Sequence, residues 1–324
     1  MRFVFVMDSV DRVDPDKDTS FGFIEAAIGR GHQCLHCLIH EVEYSGGTVT
    51  AVVRQLSVTA DGLALAGSAE RLRLTEVDAV FIRKDPPFDQ PYAHATLLLE
   101  LLRGQTLVVN DPRGLRDANE KLYTLSFERW MPPTLVSSDP PAIFDFIEEV
   151  GGKAVIKPLD GAGGFGVLGV ATGDSNTPSI VDLLTREGAR LAVVQQYLPA
   201  ISEGDKRVIL LDGEPLGAIT RIPKRGDLRA NIHAGADVRP HELTDHERTM
   251  IAAMAPKLRA DGLVFVGLDV IGDKLTEVNV TSPTGIRELS RFSGTRQSDR
   301  VIAWVEEAAG KSCPNGSRSV SIGS

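Results

Sequence analysis

Residues 157–167 read KPLDGAGGFGV, and glycines at positions 161, 163 and 166 give the G-x-G-x-x-G spacing of a dinucleotide-binding loop. In such a loop the third glycine begins a helix, because the helix N-terminus holds the pyrophosphate. Here the chain continues as VLGVATGD, which is β-branched and strand-like, and the motif lies far from the first strand. The sequence therefore argues against a nicotinamide dinucleotide fold.

A glycine-rich segment between two strands instead predicts a flap. The bare backbone N–H groups of a flap can close over phosphate groups, and Lys157 on the entering strand would add a cation. A plain surface loop would have the same composition, so the glycines alone do not decide between the two.

A second motif lies about a hundred residues further on, in GLDVIGDKLTEVNV at 267–280. A three-residue turn from Gly272 to Lys274 would place Asp269 opposite Glu277, with Asn279 on the same face as Glu277. Two facing carboxylates repel each other unless a cation lies between them, and Mg²⁺ on nucleotide phosphates prefers oxygen ligands of this kind. The alternative is a solvated polar face, but the intervening apolar residues predict a half-buried hairpin.

Basic residues recur at separated points of the chain, at Lys121, Lys157, Lys206, Arg207, Arg221, Arg229 and Arg287. Each one alone is readily explained as a surface residue that aids solubility. Lys157, Arg207 and Arg221 adjoin apolar strands and are therefore the better candidates for phosphate contacts.

The composition disfavours several classes of protein. With 324 residues, 42% of them hydrophobic, and a net charge of −9, the chain is expected to form about two or three globular domains and lacks the basic balance of a nucleic-acid binder. No apolar run approaches the roughly 18–20 residues of a membrane helix. The N-terminal apolar run has no small-residue cleavage site, so the sequence predicts a cytoplasmic protein.

Cys34 and Cys37 form a C-x-x-C motif with histidines nearby, which raises the alternatives of a zinc or redox site and an ordinary core strand. The segment is strand-like, and residues three apart on a strand point to opposite faces. The core strand is therefore the preferred interpretation.

The element pattern predicts an α/β and α+β protein. Over residues 1–120 strands alternate with helices, which predicts an open, mostly parallel sheet. Residues 121–200 and 201–312 predict two smaller α+β units, the second with a hairpin at Asp212-Gly213 and a helix with a capping box of Thr244 and Glu247. The Gly/Ser-rich tail 313–324, which contains Cys313, is predicted to be disordered.

Five stretches carry a resemblance to a known family: RKDPPFD (83–89), VVNDPRGLRDANEKL (108–122), KPLDGAGG (157–164), QQYLPAISEGDKRVILLDGEP (195–215) and VGLDVIGDKLTEVNVTSPTGIRE (266–288). In this order they resemble the bacterial glutathione synthetases of the ATP-grasp superfamily, from the first strand to about residue 310. The resemblance implies a Rossmann-like pre-ATP-grasp domain followed by a two-subdomain ATP-grasp fold that encloses ATP.

The resemblance also implies site residues. ATP would contact Lys121, Lys157, Gly161, Gly163, Gly164, Gln196, Tyr197, Leu198 and Asp205, with 196–198 as the adenine hinge and Asp205 at the ribose. Catalytic charge stabilisation would come from Arg207, Arg221 and Arg229. Substrates would contact Asp18, Ser20, Arg83, Asn231, Ser282 and Arg287. Asp269, Glu277 and Asn279 would hold two Mg²⁺ ions, with Mn²⁺ as an alternative.

The implied reaction is phosphorylation of γ-glutamylcysteine by ATP, followed by attack of glycine on the acyl phosphate. The implied assembly is a homo-oligomer, a tetramer by family resemblance. The segment RANIHAGA (229–236) departs from the family's usual loop, Gly285 replaces an expected cysteine, and His233 is either a solvated residue or a substrate contact. A ligase with a different acceptor or donor, and a non-catalytic nucleotide-binding regulator, therefore stay as alternatives.

Overall fold

The computed structural model describes residues 1–223 and 237–312. Arg229, Asn231, His233 and the predicted disordered tail lie outside the described residues. The described strands form three sheets, and the cleft that carries the candidate site is lined by residues of the second and third sheets and of loops that follow strands of the first.

The first sheet contains seven strands: β1 (Arg2–Val6), β2 (Gln33–Cys37), β3 (Val42–Ser45), β4 (Thr48–Thr59), β5 (Gly62–Arg73), β6 (Ala79–Ile82) and β7 (Leu107–Val109). The strands β2, β1, β6 and β7 run parallel in that order, which confirms the predicted parallel sheet for these four. The other three form an antiparallel ribbon on one edge, because short polar turns rather than helices connect them. A parallel connection needs a crossover of a dozen residues or more.

Three helices accompany this sheet: α1 (Thr19–Gly29), α2 (Gln90–Glu100) and α3 (Pro112–Asp117). Each begins after an aspartate, Asp18, Asp89 or Asp111, whose carboxylate accepts hydrogen bonds from backbone N–H groups of the first turn. An aspartate in this position satisfies donors that the first helical turn cannot pair internally.

The second sheet is antiparallel, with four strands: β8 (Thr134–Ser137), β9 (Lys153–Pro158), β10 (Leu168–Ala171) and β11 (Ala192–Gln196). Two helices cover it, α4 (Pro140–Glu149) and α5 (Thr177–Thr185). The glycine-rich segment joins β9 directly to β10, and no helix starts at its third glycine. The glycine-rich segment is therefore not a dinucleotide-binding loop of the Rossmann type, as predicted.

The third sheet has five antiparallel strands: β12 (Asp205–Leu211), β13 (Glu214–Ile222), β14 (Asp237–His241), β15 (Phe265–Ile271) and β16 (Lys274–Asn279). The remaining described helices are α6 (Asp245–Ala260), α7 (Ile286–Ser293) and α8 (Gln297–Ser312), and short 3₁₀ segments occur at Val10–Arg12, Ile39–Glu41, Leu74–Glu76, Tyr123–Trp130 and Pro199–Glu203. The predicted capping box of Thr244 and Glu247 is confirmed at the start of α6. The helices α7 and α8 pack back against α1, and one apolar core runs from the first sheet into the third.

The hairpin at 267–280 places Asp269 opposite Glu277, as predicted, but with a different turn and strand register. The predicted three-residue turn is wrong, because Ile271 pairs with Lys274 and only two residues form the turn. The register then shifts by one between Asp269 and Val270, which leaves Thr276 unpaired in the ladder. This β-bulge restores the expected facing of the two carboxylates.

The C-x-x-C motif lies on β2, and its two thiols are buried on opposite faces. Cys34 packs with Phe3 and Phe5, whereas Cys37 packs with Val4 and Leu35 in the other core. Burial raises the pKa of both thiols, that of Cys34 to about 12. The core-strand interpretation is therefore confirmed. None of the helices in the described ranges is long and apolar enough to cross a membrane.

Candidate active site

Three adjoining cavities lie between the sheets. The hinge cavity, about 100 Å³, is bounded by β9, the end of β11 and the β15–β16 hairpin. The central cavity, about 350 Å³, is bounded by the flap, residues 12–18 and the segment 279–284. The side cavity, about 210 Å³, lies between 86–88 and the flap base. The hinge and central cavities share Gly164, Asp269 and Glu277, so these residues mark the junction of the two.

A buried ladder of alternating charges forms one wall of this junction. Asp269 receives two hydrogen bonds from Arg207, at 2.6 and 3.1 Å, and lies 3.0 Å from Arg221. Arg221 in turn donates to Asp205 at 2.5 Å. The strand register produces the ladder, because Asp205 faces Arg221 across β12–β13 and Arg207 faces Asp269 across β12–β15.

The ladder fixes the charge state of Asp269. Burial by itself would disfavour its carboxylate, but the two guanidinium groups outweigh burial and hold the pKa of Asp269 well below its usual range. A doubly paired, ionised carboxylate keeps both arginines in fixed orientations. Their remaining N–H groups can then serve a bound anion.

Two lysines close the opposite side of the junction. Lys157 Nζ lies 3.7 Å from Glu277 Oε1 and donates to Gln195 at 2.8 Å. Lys121 Nζ lies 4.0 Å from the same Oε1. The repulsion expected between Asp269 and Glu277 is therefore compensated by basic side chains on both flanks.

The fit of a divalent ion depends on the donor set at this junction. Glu277 and Asn279 both border the central cavity, and Asn279 donates its N–H to Gly267, which leaves the carboxamide oxygen as its ligating atom. Among the described residues no three His, Cys, Asp or Glu side chains are grouped to hold a metal by themselves. Mg²⁺ characteristically uses one or two carboxylates plus substrate phosphates and water, so the residues present fit Mg²⁺ held jointly with a phosphate ligand.

The predicted hinge residues Gln196, Tyr197 and Leu198 all border the hinge cavity, together with Asp205. The backbone N–H of Tyr197 bonds to Lys153 O, and the Gln196 side chain bonds to Val150 O. These bonds anchor the segment to β9 and α4, with Val155 and Ile271 as apolar walls. The cavity combines apolar walls with several polar side chains, as is usual for a small-molecule site.

The flap is anchored at its base. An added Cβ at Gly161 or Gly166 would lie 2.8 Å from Pro158 Cγ, so only glycine allows this close packing. Gly163, Gly164 and Gly166 all have positive φ, between 63° and 77°. Lys121 ties the base to the rest of the site by donating to Gly161 O at 2.5 Å.

The predicted substrate residues divide into two groups. Asp18 and Ser282 border the central cavity. Arg83 and Ser20 lie behind the wall, where Arg83 donates to Ser20 Oγ and to Pro283 O, each at 3.1 Å. The structure places Arg287 against Glu25, at 2.7 Å, and over the ring of Phe21. The positions of Arg83, Ser20 and Arg287 suit a role in supporting the wall of the central cavity from behind.

Sequence reasoning missed two residues. Glu120 contacts Lys121 Nζ at 2.5 Å, borders both the central and side cavities, and has a pKa raised to about 7 by burial and by Glu277. Asn110 makes four hydrogen bonds, with Val264, Phe265 (two bonds) and Val280, and so joins the end of β7 to the β15–β16 hairpin. Glu120 could have been identified from the sequence because it adjoins Lys121, whereas no local sequence pattern points to Asn110.

Comparison with known families gives two matches that together span most of the chain. Residues 1–116 match the model "Prokaryotic glutathione synthetase, N-terminal domain", and residues 120–294 match "Prokaryotic glutathione synthetase, ATP-grasp domain". A glutathione synthetase of Synechocystis sp. is 44% identical over 319 residues, covering 95% of this chain and 99% of the relative. One from Brucella melitensis is 42% identical, covering 89% and 93%.

Solved structures match the fold at lower identity. The D-cycloserine synthetase DcsG is 16% identical with a TM-score of 0.64, covering 94% of this chain and all of that one. A RimK domain ATP-grasp protein from Sphaerobacter thermophilus is 19% identical with a TM-score of 0.62, covering 94% and 99%. The predicted fold class, a pre-ATP-grasp domain followed by an ATP-grasp fold, is confirmed.

Proposed function

This chain belongs to the prokaryotic glutathione synthetase family, and from that premise we propose how its residues carry out ATP-dependent ligation of γ-glutamylcysteine to glycine. The enzyme is an ADP-forming carboxylate–amine ligase. The observation that carries the assignment of roles is the junction of the hinge and central cavities, where the buried charge ladder faces Lys121 and Lys157.

ATP lies with its base in the hinge cavity, against Gln196, Tyr197 and Leu198, and its phosphates at the junction. Lys121, Lys157 and the N–H groups of Gly163 and Gly164 surround those phosphates. Cations and backbone dipoles fixed in advance stabilise the charge that develops on a transferring phosphoryl group without reorganising during the reaction.

Asp269, Glu277 and Asn279 would hold Mg²⁺ beside the phosphates. When bound there, the ion neutralises negative charge on the β- and γ-phosphates. The number of ions, two by family resemblance, and replacement by Mn²⁺ stay predictions.

The donor dipeptide occupies the central cavity, with its terminal carboxylate at the junction. That carboxylate oxygen attacks the γ-phosphorus, ADP leaves, and an acyl phosphate forms. The amine of glycine then forms the C–N bond, phosphate leaves with the electron pair of the broken C–O bond, and the nitrogen releases a proton. Arg207 and Arg221 stabilise the negative charge in both steps, and no side-chain nucleophile is needed. Asp18 and Ser282 border this cavity and are the proposed donor contacts.

A phosphate-release assay with ATP, Mg²⁺ and γ-glutamylcysteine, with and without glycine, tests the function. We expect release that depends on glycine and equals the glutathione formed. Turnover only with a different amine would refute the choice of acceptor, and ATP binding without turnover on any amine would identify a regulator. The oligomeric state is tested separately by light scattering, since the tetramer is still a prediction, as is the cytoplasmic location.

A further inference from the structure

Lys157 holds its ammonium group at the phosphate junction, although the stem of a lysine side chain is long and flexible. The side chain is buried, and its Nζ donates to Gln195 Oε1 at 2.8 Å. Glu277 Oε1 lies further from the same Nζ, at 3.7 Å. The amide oxygen of Gln195 is therefore the closer of these two acceptors and the one that fixes the position of the ammonium group.

Gln195 is held in turn by Thr134. The amide nitrogen of Gln195, a residue that is 3% exposed, donates to Thr134 Oγ1 at 3.1 Å. The hydroxyl of Thr134 donates to Pro132 O at 2.8 Å. These three hydrogen bonds form the Thr134 relay, which runs from the ammonium group of Lys157 through Gln195 and Thr134 to a backbone carbonyl.

The chemistry of its members gives the Thr134 relay a single direction. An ammonium group only donates, so Gln195 must present its amide oxygen to Lys157 and its amide nitrogen to Thr134. The hydroxyl of Thr134 has one proton, and while it donates that proton to Pro132 O it accepts from Gln195. A reversed amide would place an NH2 group against the ammonium group. Thr134 therefore stabilises the orientation of Gln195 that binds a cation.

Strand register brings the members of the relay to one face of the second sheet. Thr134 lies opposite Gln195 across β8–β11, and Lys157 lies opposite Val193 across β9–β11. Opposite residues share a face, and so do residues two apart on one strand, so Thr134, Gln195 and Lys157 project from the same face. Lys157 and Gln195 are diagonal neighbours, a separation that long side chains span. The relay is thus a product of the pairing of three neighbouring strands.

We propose that Thr134 is a positioning residue for ATP, which acts through Gln195 to hold the ammonium group of Lys157 against the phosphates. Thr134 is not among the described residues that line the hinge, central or side cavity, so its effect on a bound nucleotide must pass through other residues. The inference rests on the proposed function, because it takes the phosphates to lie at the junction beside Lys157.

The segment that carries Thr134 also contacts the predicted hinge. Pro132 borders the hinge cavity, and the backbone N–H of Gln196 donates to Pro133 O at 3.0 Å. A change at Thr134 could therefore reach the base of ATP through the backbone, instead of the phosphates through Lys157. Adenosine distinguishes these two routes, because it has the base and ribose of ATP and no phosphate.

The test is Thr134→Val, which removes the hydroxyl and keeps the shape of the side chain. We expect this variant to raise the dissociation constant for ATP roughly three- to tenfold, the range for loss of one hydrogen bond, in titration calorimetry with Mg²⁺ present. The dissociation constant for adenosine should stay at the wild-type value. Thr134→Ser keeps the hydroxyl and should bind ATP as the wild-type protein does.

Thr185→Val is the matched control. Thr185 is buried on α5, the helix that covers the other face of the second sheet. Its hydroxyl also donates once, to Val181 O at 2.8 Å, and accepts once, from the N–H of Gly188 at 3.3 Å. Thr185→Val should lower the urea midpoint but leave the dissociation constant for ATP unchanged. A rise in that constant equal to the rise in Thr134→Val would indicate general destabilisation and overturn the inference.

The Lys157→Met background tests whether Thr134 acts through Lys157. With the ammonium group absent, Thr134→Val should not weaken ATP binding further, so the two changes should be non-additive. Additive effects, equal weakening of ATP and adenosine binding, or an unchanged ATP affinity in Thr134→Val would each overturn the inference. Thr134→Ala carries the same expectations and takes the place of Thr134→Val if that variant does not fold.

Failure of the proposed function has a different signature. A wild-type protein that binds no ATP would contradict the ligase function, and this inference with it. A wild-type protein that binds ATP and releases phosphate in a glycine-dependent reaction, while Thr134→Val binds ATP equally tightly, would contradict this inference alone.

Discussion

Replacing Glu277 with glutamine removes one charge from the phosphate junction while keeping the size of the side chain. Glu277 Oε1 lies 3.7 Å from Lys157 Nζ and 4.0 Å from Lys121 Nζ. Each lysine keeps a second partner, Gln195 or Glu120, so neither ammonium is left unpaired. The loss of folding stability should therefore be about 1–2 kcal/mol, between the values for exposed and fully buried pairs.

The effect on catalysis should be larger than the effect on folding. Loss of one preorganised electrostatic group typically lowers kcat about 10²–10³-fold. A weakened metal site should in addition shift the Mg²⁺ dependence of turnover to higher concentration. Phosphate release at saturating substrates, measured over a Mg²⁺ titration, reports both, and urea unfolding reports stability.

The matched control is Asp273→Asn, which removes a carboxylate from the turn of the same hairpin, where it is 63% exposed. It should leave kcat and the Mg²⁺ dependence unchanged. The assignment of Glu277 to the metal and phosphate site would be refuted if the kcat of Glu277→Gln stayed within about threefold of wild type. Such a change corresponds to less than about 1 kcal/mol in the activation barrier.

Three further predictions concern the flap, the wall behind the central cavity and the acid limit of stability. Gly163→Ala adds only the cost of positive φ, roughly 1–2 kcal/mol, whereas Gly166→Ala also brings its Cβ within 2.8 Å of a proline ring. Gly166→Ala should therefore raise the KM for ATP more than Gly163→Ala does. Equal KM values for the two variants would contradict the anchoring of the flap base. Arg83→Met removes two buried hydrogen bonds, so the urea midpoint should fall by the equivalent of about 2–3 kcal/mol, and an unchanged midpoint would count against a supporting role. Burial opposes ionisation of Glu247, but its hydrogen bonds, led by that from Lys206, lower the pKa of Glu247 to about 2. The folding stability that ionised Glu247 contributes is therefore present above pH 4.5 and is lost as the pH falls towards 2. Glu247→Gln should flatten that part of a stability–pH curve, and an identical curve would contradict the assignment.

Much of the fold followed from local pattern. The Asp212-Gly213 turn adopts positive φ at both residues, as the dipeptide predicts for a tight hairpin. The capping box at Thr244 and the placement of Cys34 and Cys37 on opposite faces were likewise correct. These features depend on residues within a few positions of one another, so sequence spacing alone specifies them.

The sequence was less informative where a feature depends on strand register or on contacts between residues that are far apart in the chain. The bulge at Thr276 depends on how two strands pair, and no residue in the turn signals it. The contact of Arg83 with substrate stays a prediction, and only the structure shows that Arg83 donates to Ser20 and Pro283, which are 63 and 200 positions away. Only the fold determines which face of such a side chain meets the cleft.

The sequence by itself determined that this protein contains a glycine flap between strands, a carboxylate hairpin and the motif series of its family, because each depends on residue types at short spacing. Only the tertiary structure decided that Arg207 and Arg221 share Asp269, that Glu120 lies between two cavities, and that Arg116 reaches a cavity beside the phosphate junction. The physical reason is that charge pairing and cavity shape depend on distances between strands that are far apart in the chain, and these distances are set when the three sheets pack together.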